Sequence, residues 1–65
     1  MSLGEKIKQV RKYEKLTQGE LAEKLGIKTS TICDYEKNRI APSLSIFKQI
    51  CELFNLSADE LLDLK

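Results

Sequence analysis

Apolar residues recur along the chain with helical rather than strand spacing. Leu3, Ile7 and Val10 stand at i, i+4 and i+7, which predicts an amphipathic helix over Ser2 to Lys15 with one buried stripe. Leu21, Ala22 and Leu25 predict a second, two-turn helix. Thr17 and Glu20 open it as a capping box, in which each side chain meets the other residue's backbone N–H. Gly26 ends it, because a glycine takes the left-handed conformation without steric penalty.

Helical spacing resumes over Thr29 to Lys37, with Ile32 and Tyr35 inward and Asn38 as a left-handed stop. Pro42 and Ser43 precede Leu44, Phe47, Ile50, Cys51 and Phe54, whose spacing predicts a broad apolar face on a central core helix closed by Asn55. Leu56 plugs the corner. Ser57 and Glu60 form a further capping box and open a last helix ending near Leu64. The pattern predicts an all-α, five-helix domain over residues 1–65, without strand, repeat or low-complexity segment.

Within that outline Thr17 to Arg39 reads as two short helices joined by a tight turn. A helix of two turns is marginal alone and must gain stability from packing. Ala22 is small enough to admit a neighbour, which the sequence order makes the third helix.

Composition narrows the possibilities. The 65 residues are 42% hydrophobic and 32% charged, with three Gly and one Pro, as expected of a small globular chain with short loops. Net charge is only +1, but it is unevenly spread. Residues 1–17 carry five basic and two acidic side chains, residues 18–39 four of each, and residues 40–65 two basic and four acidic. That gradient suits a polyanion better than the total suggests, although on charge alone an ordinary solvated surface is the simpler reading.

Two Cys, no C-x-x-C and no His exclude a recognisable zinc site or disulfide framework, so no metal or cofactor is expected. Cys33 is a weak redox candidate without an evident cationic partner beyond Lys37, and Cys51 reads as core. Tyr13 reads as packing on the first helix. An enzyme is not expected: no His, no Gly-rich phosphate loop and no nucleophile with a base are present. No small-molecule substrate follows from the residues. No apolar run approaches the roughly 20 residues of a membrane span, and MSLGEKIKQV lacks a signal-peptide core, so no membrane partner and a cytoplasmic location are expected.

Five fragments carry a resemblance: Q-x-E-L-A-x-K-L-G-I at Gln18 to Ile27, S-T-I at Ser30 to Ile32, Y-E at Tyr35 and Glu36, P-S-L at Pro42 to Leu44, and L-S-x-D-E-L-L at Leu56 to Leu62. In this order and spacing the chain resembles the lambda-repressor-like helix-turn-helix family, the Cro and C1 type. The resemblance implies a five-helix DNA-binding fold, a helix-turn-helix made of helices 2 and 3, and a homodimeric transcriptional regulator, usually a repressor, on double-stranded DNA. It also implies an ion pair between Arg11 and Glu36.

Independently of that family, a major groove about 12 Å wide admits one α-helix, whose N-terminal residues reach base edges. Lys28, Thr29, Ser30 and Asp34 are the expected base contacts: Lys28 to guanine, Asp34 to a cytosine amino group, Thr29 and Ser30 to either an edge or a methyl. Thr17, Gln18, Thr31, Lys37, Asn38 and Arg39 are the expected phosphate contacts, the first two at a positive helix end. Where the family commonly has Ser or Thr at the start of helix 3, this chain has Lys28, which predicts that capping passes to Thr29. Ala58, Asp59 and Leu62 are the expected dimer interface, in an apolar patch with Ile46 and Leu64. The competing function is a protein-interaction module, an antitoxin or repressor antagonist, on the same fold.

Overall fold

The computed structural model describes residues 2–62. Five helices follow in order: α1 (Leu3–Tyr13), α2 (Gln18–Leu25), α3 (Thr29–Glu36), α4 (Leu44–Leu53) and α5 (Ala58–Leu62). No strand occurs among the described residues. The expected end of the last helix near Leu64 lies outside them.

Each helix start is specified locally. Ser2 and Thr17 make full capping boxes with Glu5 and Glu20, Ser43 accepts from the Ile46 N–H, and Ser57 and Glu60 exchange the same reciprocal bonds. Only α3 differs. Lys28 occupies its N-cap and makes no side-chain cap bond, while Thr29 is already its first helical residue. The expected transfer of the cap to Thr29 therefore does not occur: backbone geometry sets the start, and no hydroxyl satisfies it.

The helix ends share one device. Lys15, Gly26, Asn38 and Asn55 all have positive φ, at 60°, 69°, 59° and 53°. The next residue in each case donates its N–H to the carbonyl five residues back: Leu16 to Arg11, Ile27 to Ala22, Arg39 to Asp34 and Leu56 to Cys51, at 2.8–3.1 Å. This is the Schellman arrangement, which satisfies carbonyls that the helix leaves without partners. Leu16, Ile27 and Leu56 are apolar and half-buried there; Arg39 is exposed.

Every helix contributes to one core, built from Ile7, Leu21, Ala22, Leu25, Ile32, Tyr35, Ile50 and Leu61. The helix at its centre is α3, which packs most extensively on α2 and then α1. This corrects the expectation of a central α4, where only Ile50 is fully enclosed while Phe47, Cys51 and Phe54 pack at the margin. Leu44, counted in that apolar face, is 76% exposed, and Tyr13 on α1 is 82% exposed. Isolated apolar side chains on a surface are ordinary.

The buried stripe of α1 is likewise rotated: Gly4, Ile7 and Arg11 face inward, and Leu3 and Val10 flank them. Gly4 has no side chain because α1 meets the end of α3 there. A Cβ on it would lie 2.3 Å from the Tyr35 carbonyl oxygen and 2.7 Å from that of Glu36. No described helix is long and apolar enough to cross a membrane.

Candidate nucleic-acid interface

α3 turns Ile32, Tyr35 and Glu36 inward. At 100° per residue the opposite face is formed by Ser30, Cys33, Asp34 and, at its end, Lys37. Ser30 and Lys37 are exposed, and Cys33 and Asp34 are half-buried. Ser30 and Asp34 thus share the outward face, as their spacing implies. Thr29 sits to one side: its hydroxyl lies 3.6 Å from where a Cβ on Gly19 would be, over the first turn of α2. Exposed Lys28 precedes them at the N-cap. Cys33 was not among the expected contacts, although i, i+3, i+4 spacing from Ser30 and Lys37 places it on this face.

Two flanks border the face. On one side is the start of α2, where Thr17 is spent on the capping box and the N–H groups of Gln18 and Gly19 belong to the first turn, which has no intrahelical acceptor. Thr31 is half-buried on α3, two residues on from Thr29. On the other side are Lys37, Asn38 and Arg39, all exposed. Asn38 is only partly available. Its Oδ1 accepts from the Gly4 N–H at 3.0 Å, and its Nδ2 donates to Ser2 Oγ at 2.9 Å. The amide ties the end of α3 to the start of α1.

Beneath the face, Arg11 and Glu36 form a two-pronged pair. Nε donates to Oε2 at 2.6 Å and Nη2 to Oε1 at 3.1 Å, with side chains 9% and 3% exposed. Arg11 Nη1 also donates to the Leu16 carbonyl at 2.7 Å, and Gln18 Nε2 donates to Glu36 Oε1 at 3.0 Å. Burial works to raise the Glu36 carboxyl. The hydrogen bonds from Arg11 and Gln18, with the charges of Arg11 and Lys8, outweigh it and hold the carboxyl below its ordinary value. One carboxylate thus fastens α1, α2 and α3 together. The Gln18 side chain, read from sequence as a phosphate contact, is engaged in this cluster.

Above, Asp34 and Arg39 meet each other, with Nη1 to Oδ1 at 3.5 Å. The sequence alone gives them separate roles, Asp34 as a base contact and Arg39 as a phosphate contact. Ala58, Asp59 and Leu62 are exposed on α5, whose Leu61 faces the core. Ile46 packs against the core margin instead of joining that patch, and Leu64 lies outside the described residues. Among the described residues no group of three His, Cys, Asp or Glu is placed to hold a metal.

Comparison with known proteins gives matches over nearly the whole chain. A family model described as a helix-turn-helix domain matches residues 4–65. The immunity repressor protein of Bacillus phage phi105 is 44% identical over 50 residues, covering 77% of this chain and 35% of that protein. Antitoxin HipB of Escherichia coli is 42% identical over 55 residues, covering 85% of this chain and 58% of the antitoxin. The chain thus spans less than two thirds of either relative. Among solved structures, the P22 c2 repressor protein in complex with synthetic operator 9T superimposes with a TM-score of 0.88 at 26% identity, over 95% of this chain and 94% of that one.

Proposed function

This chain belongs to the lambda-repressor-like helix-turn-helix family, and from that membership we propose that it is a sequence-specific double-stranded DNA-binding transcriptional regulator, a repressor. In this reading α3 lies in the major groove and two copies bind a pseudo-palindromic operator. The observation that carries it is the outward face of α3, held rigidly from below and bordered by a helix start and a basic loop. A likeness to a repressor solved on an operator supports the same docking.

Roles follow from position. Ser30 and Asp34 read base edges, with Lys28 and Thr29 at the leading end. The backbone N–H groups of Gln18 and Gly19 take a phosphate on one flank, with Thr17 beside them, and Lys37 and Arg39 take one on the other, with Thr31 along α3 as a further phosphate contact. Asn38 supports that flank chiefly by fixing its loop. Ala58, Asp59 and Leu62 form the homodimer contact, and the work is done in the cytoplasm, without cofactor.

Selection of bound duplexes from a random pool, read by sequencing, tests the whole proposal. A two-fold motif with half-sites about 34 Å apart is expected. Lys37→Ala should weaken binding to all duplexes alike, by about fivefold at 0.15 M salt, and flatten the dependence of log K on log salt by about 0.9. Asp34→Ala should instead change the preference at one base pair. The likeness to an antitoxin favours a second reading, a module that grips a partner protein. An unenriched pool and salt-insensitive partner binding would select it.

A further inference from the structure

Three of the four Schellman ends follow the motif's ordinary logic: the residue after the left-handed position is apolar and tucks inward. At the end of α3 that residue is Arg39. The carbonyl it reaches, at 2.9 Å, is that of Asp34, and its guanidinium meets the carboxylate of the same residue. An ion pair has replaced the apolar contact. Its side chains are 64% exposed for Arg39 and 36% for Asp34, so it adds little to the fold.

Charge gives the pair a purpose. Thr29 to Glu36 holds two acids and no Lys or Arg, an unfavourable composition for a helix that must approach phosphates. Glu36 is buried and neutralised permanently by Arg11. Asp34 is on the outward face, and the loop supplies Arg39 as its counterion. The two pairings differ in kind: the first is enclosed and two-pronged, the second open to water and held by one contact. Only the second can exchange partners on docking. The backbone of Arg39 stays in place meanwhile, fixed by Asn38, which is itself clamped to Ser2 and Gly4.

The geometry points to Arg39 as a specificity-determining gate on Asp34, resting on the DNA-binding reading above. On duplexes without a donor at the right place, Arg39 stays on the carboxylate and masks it. Where a base presents an exocyclic amino group, cytosine being the favoured case, Asp34 accepts from it and Arg39 is released to a phosphate. Base reading and backbone grip are therefore acquired together, and Arg39 discriminates between sequences although it touches no base.

The test is a two-by-two set of Asp34→Asn and Arg39→Ala, alone and combined, titrated with one random-sequence duplex at several salt concentrations. Asp34→Asn in the wild-type background frees Arg39, so binding should tighten by about fivefold at 0.15 M and the log–log slope should steepen by about 0.9. In the Arg39→Ala background the same change should leave the slope as it was. Equal slope changes in both backgrounds would overturn the gate and leave the DNA-binding reading standing. Failure of the wild type to bind any duplex would overturn both. Thermal melts check folding, and Arg39→Gln replaces the alanine variant if that one melts below the assay temperature.

Discussion

Glu36→Ala is expected to lower the melting temperature by on the order of 20 °C, the largest effect of any single substitution considered. Removing one partner of a buried pair strands the other, which typically costs about 3–5 kcal/mol. Arg11 is 7% exposed and would keep only the Leu16 carbonyl, and Gln18 would lose its acceptor. A chain of this size has a total stability of about 3–10 kcal/mol, so the loss is a large fraction of it. Each kcal/mol shifts the midpoint of a small domain by about 4–8 °C. Replacing both partners, Arg11→Met with Glu36→Leu, should recover most of the loss, because apolar substitutes of similar volume avoid desolvating two charges. A Glu36→Ala melt superimposable on wild type would remove the pair from the account of how α3 is held.

The same carboxylate gives a pH dependence whose sign is fixed. Its folded-state value lies below the ordinary 4.5, so between the two values the unfolded chain binds more protons. Stability is complete above about pH 4.5 and is lost as pH falls through the folded value. Glu5 and Glu20 are lowered as well, first by the backbone N–H of Ser2 and Thr17 in their capping boxes. Glu36→Gln should therefore flatten the acid limb of a stability–pH curve without abolishing it.

What could be read from the sequence was local. Capping boxes, left-handed stops and apolar spacing located all five helices, since each depends on residues within one or two turns. The Ser2–Glu5 box carries the same pattern as Thr17–Glu20, and its signal was available. The buried side of α1 was not. Hydrophobic periodicity finds apolar side chains, whereas α1 is turned inward by a missing side chain at Gly4 and a charge at Arg11. The Arg11–Glu36 pair followed from the family resemblance and is present, but periodicity alone does not find it. Lys15 as a left-handed stop carries no compositional sign either. At the candidate interface, spacing along α3 separates Ser30 and Asp34 from Ile32 and Tyr35. That Asn38 faces Ser2 and Gly4, Gln18 faces Glu36 and Arg39 faces Asp34 depends on how a loop and a second helix return to α3, and no periodicity encodes that.

Two glycines at the second position of their helices make that distinction measurable. Gly4→Ala should destabilise the protein by about 2 kcal/mol, whereas Gly19→Ala should be neutral or stabilising. At Gly4 the added Cβ meets backbone oxygens of Tyr35 and Glu36, which cannot swing away, and, at 2.8 Å, Asn38 Oδ1, whose side chain is tied to Gly4 and Ser2. α1 must then move off α3. Overpacking of this kind costs about 1–3 kcal/mol. The Gly4 N–H to Asn38 bond contributes about 1 kcal/mol more, against a gain in helix propensity of at most about 1 kcal/mol. At Gly19 the nearest atom is Thr29 Oγ1 at 3.6 Å, an ordinary contact, so only the propensity gain remains. Calorimetry of the pair separates the two, and amide exchange locates the damage: Gly4→Ala should speed exchange at Asn38 and Arg39, whose N–H groups close the end of α3. Equal melting of the two variants would show that α1 and α3 can part without loss. The loop that carries Arg39 would then have no rigid support.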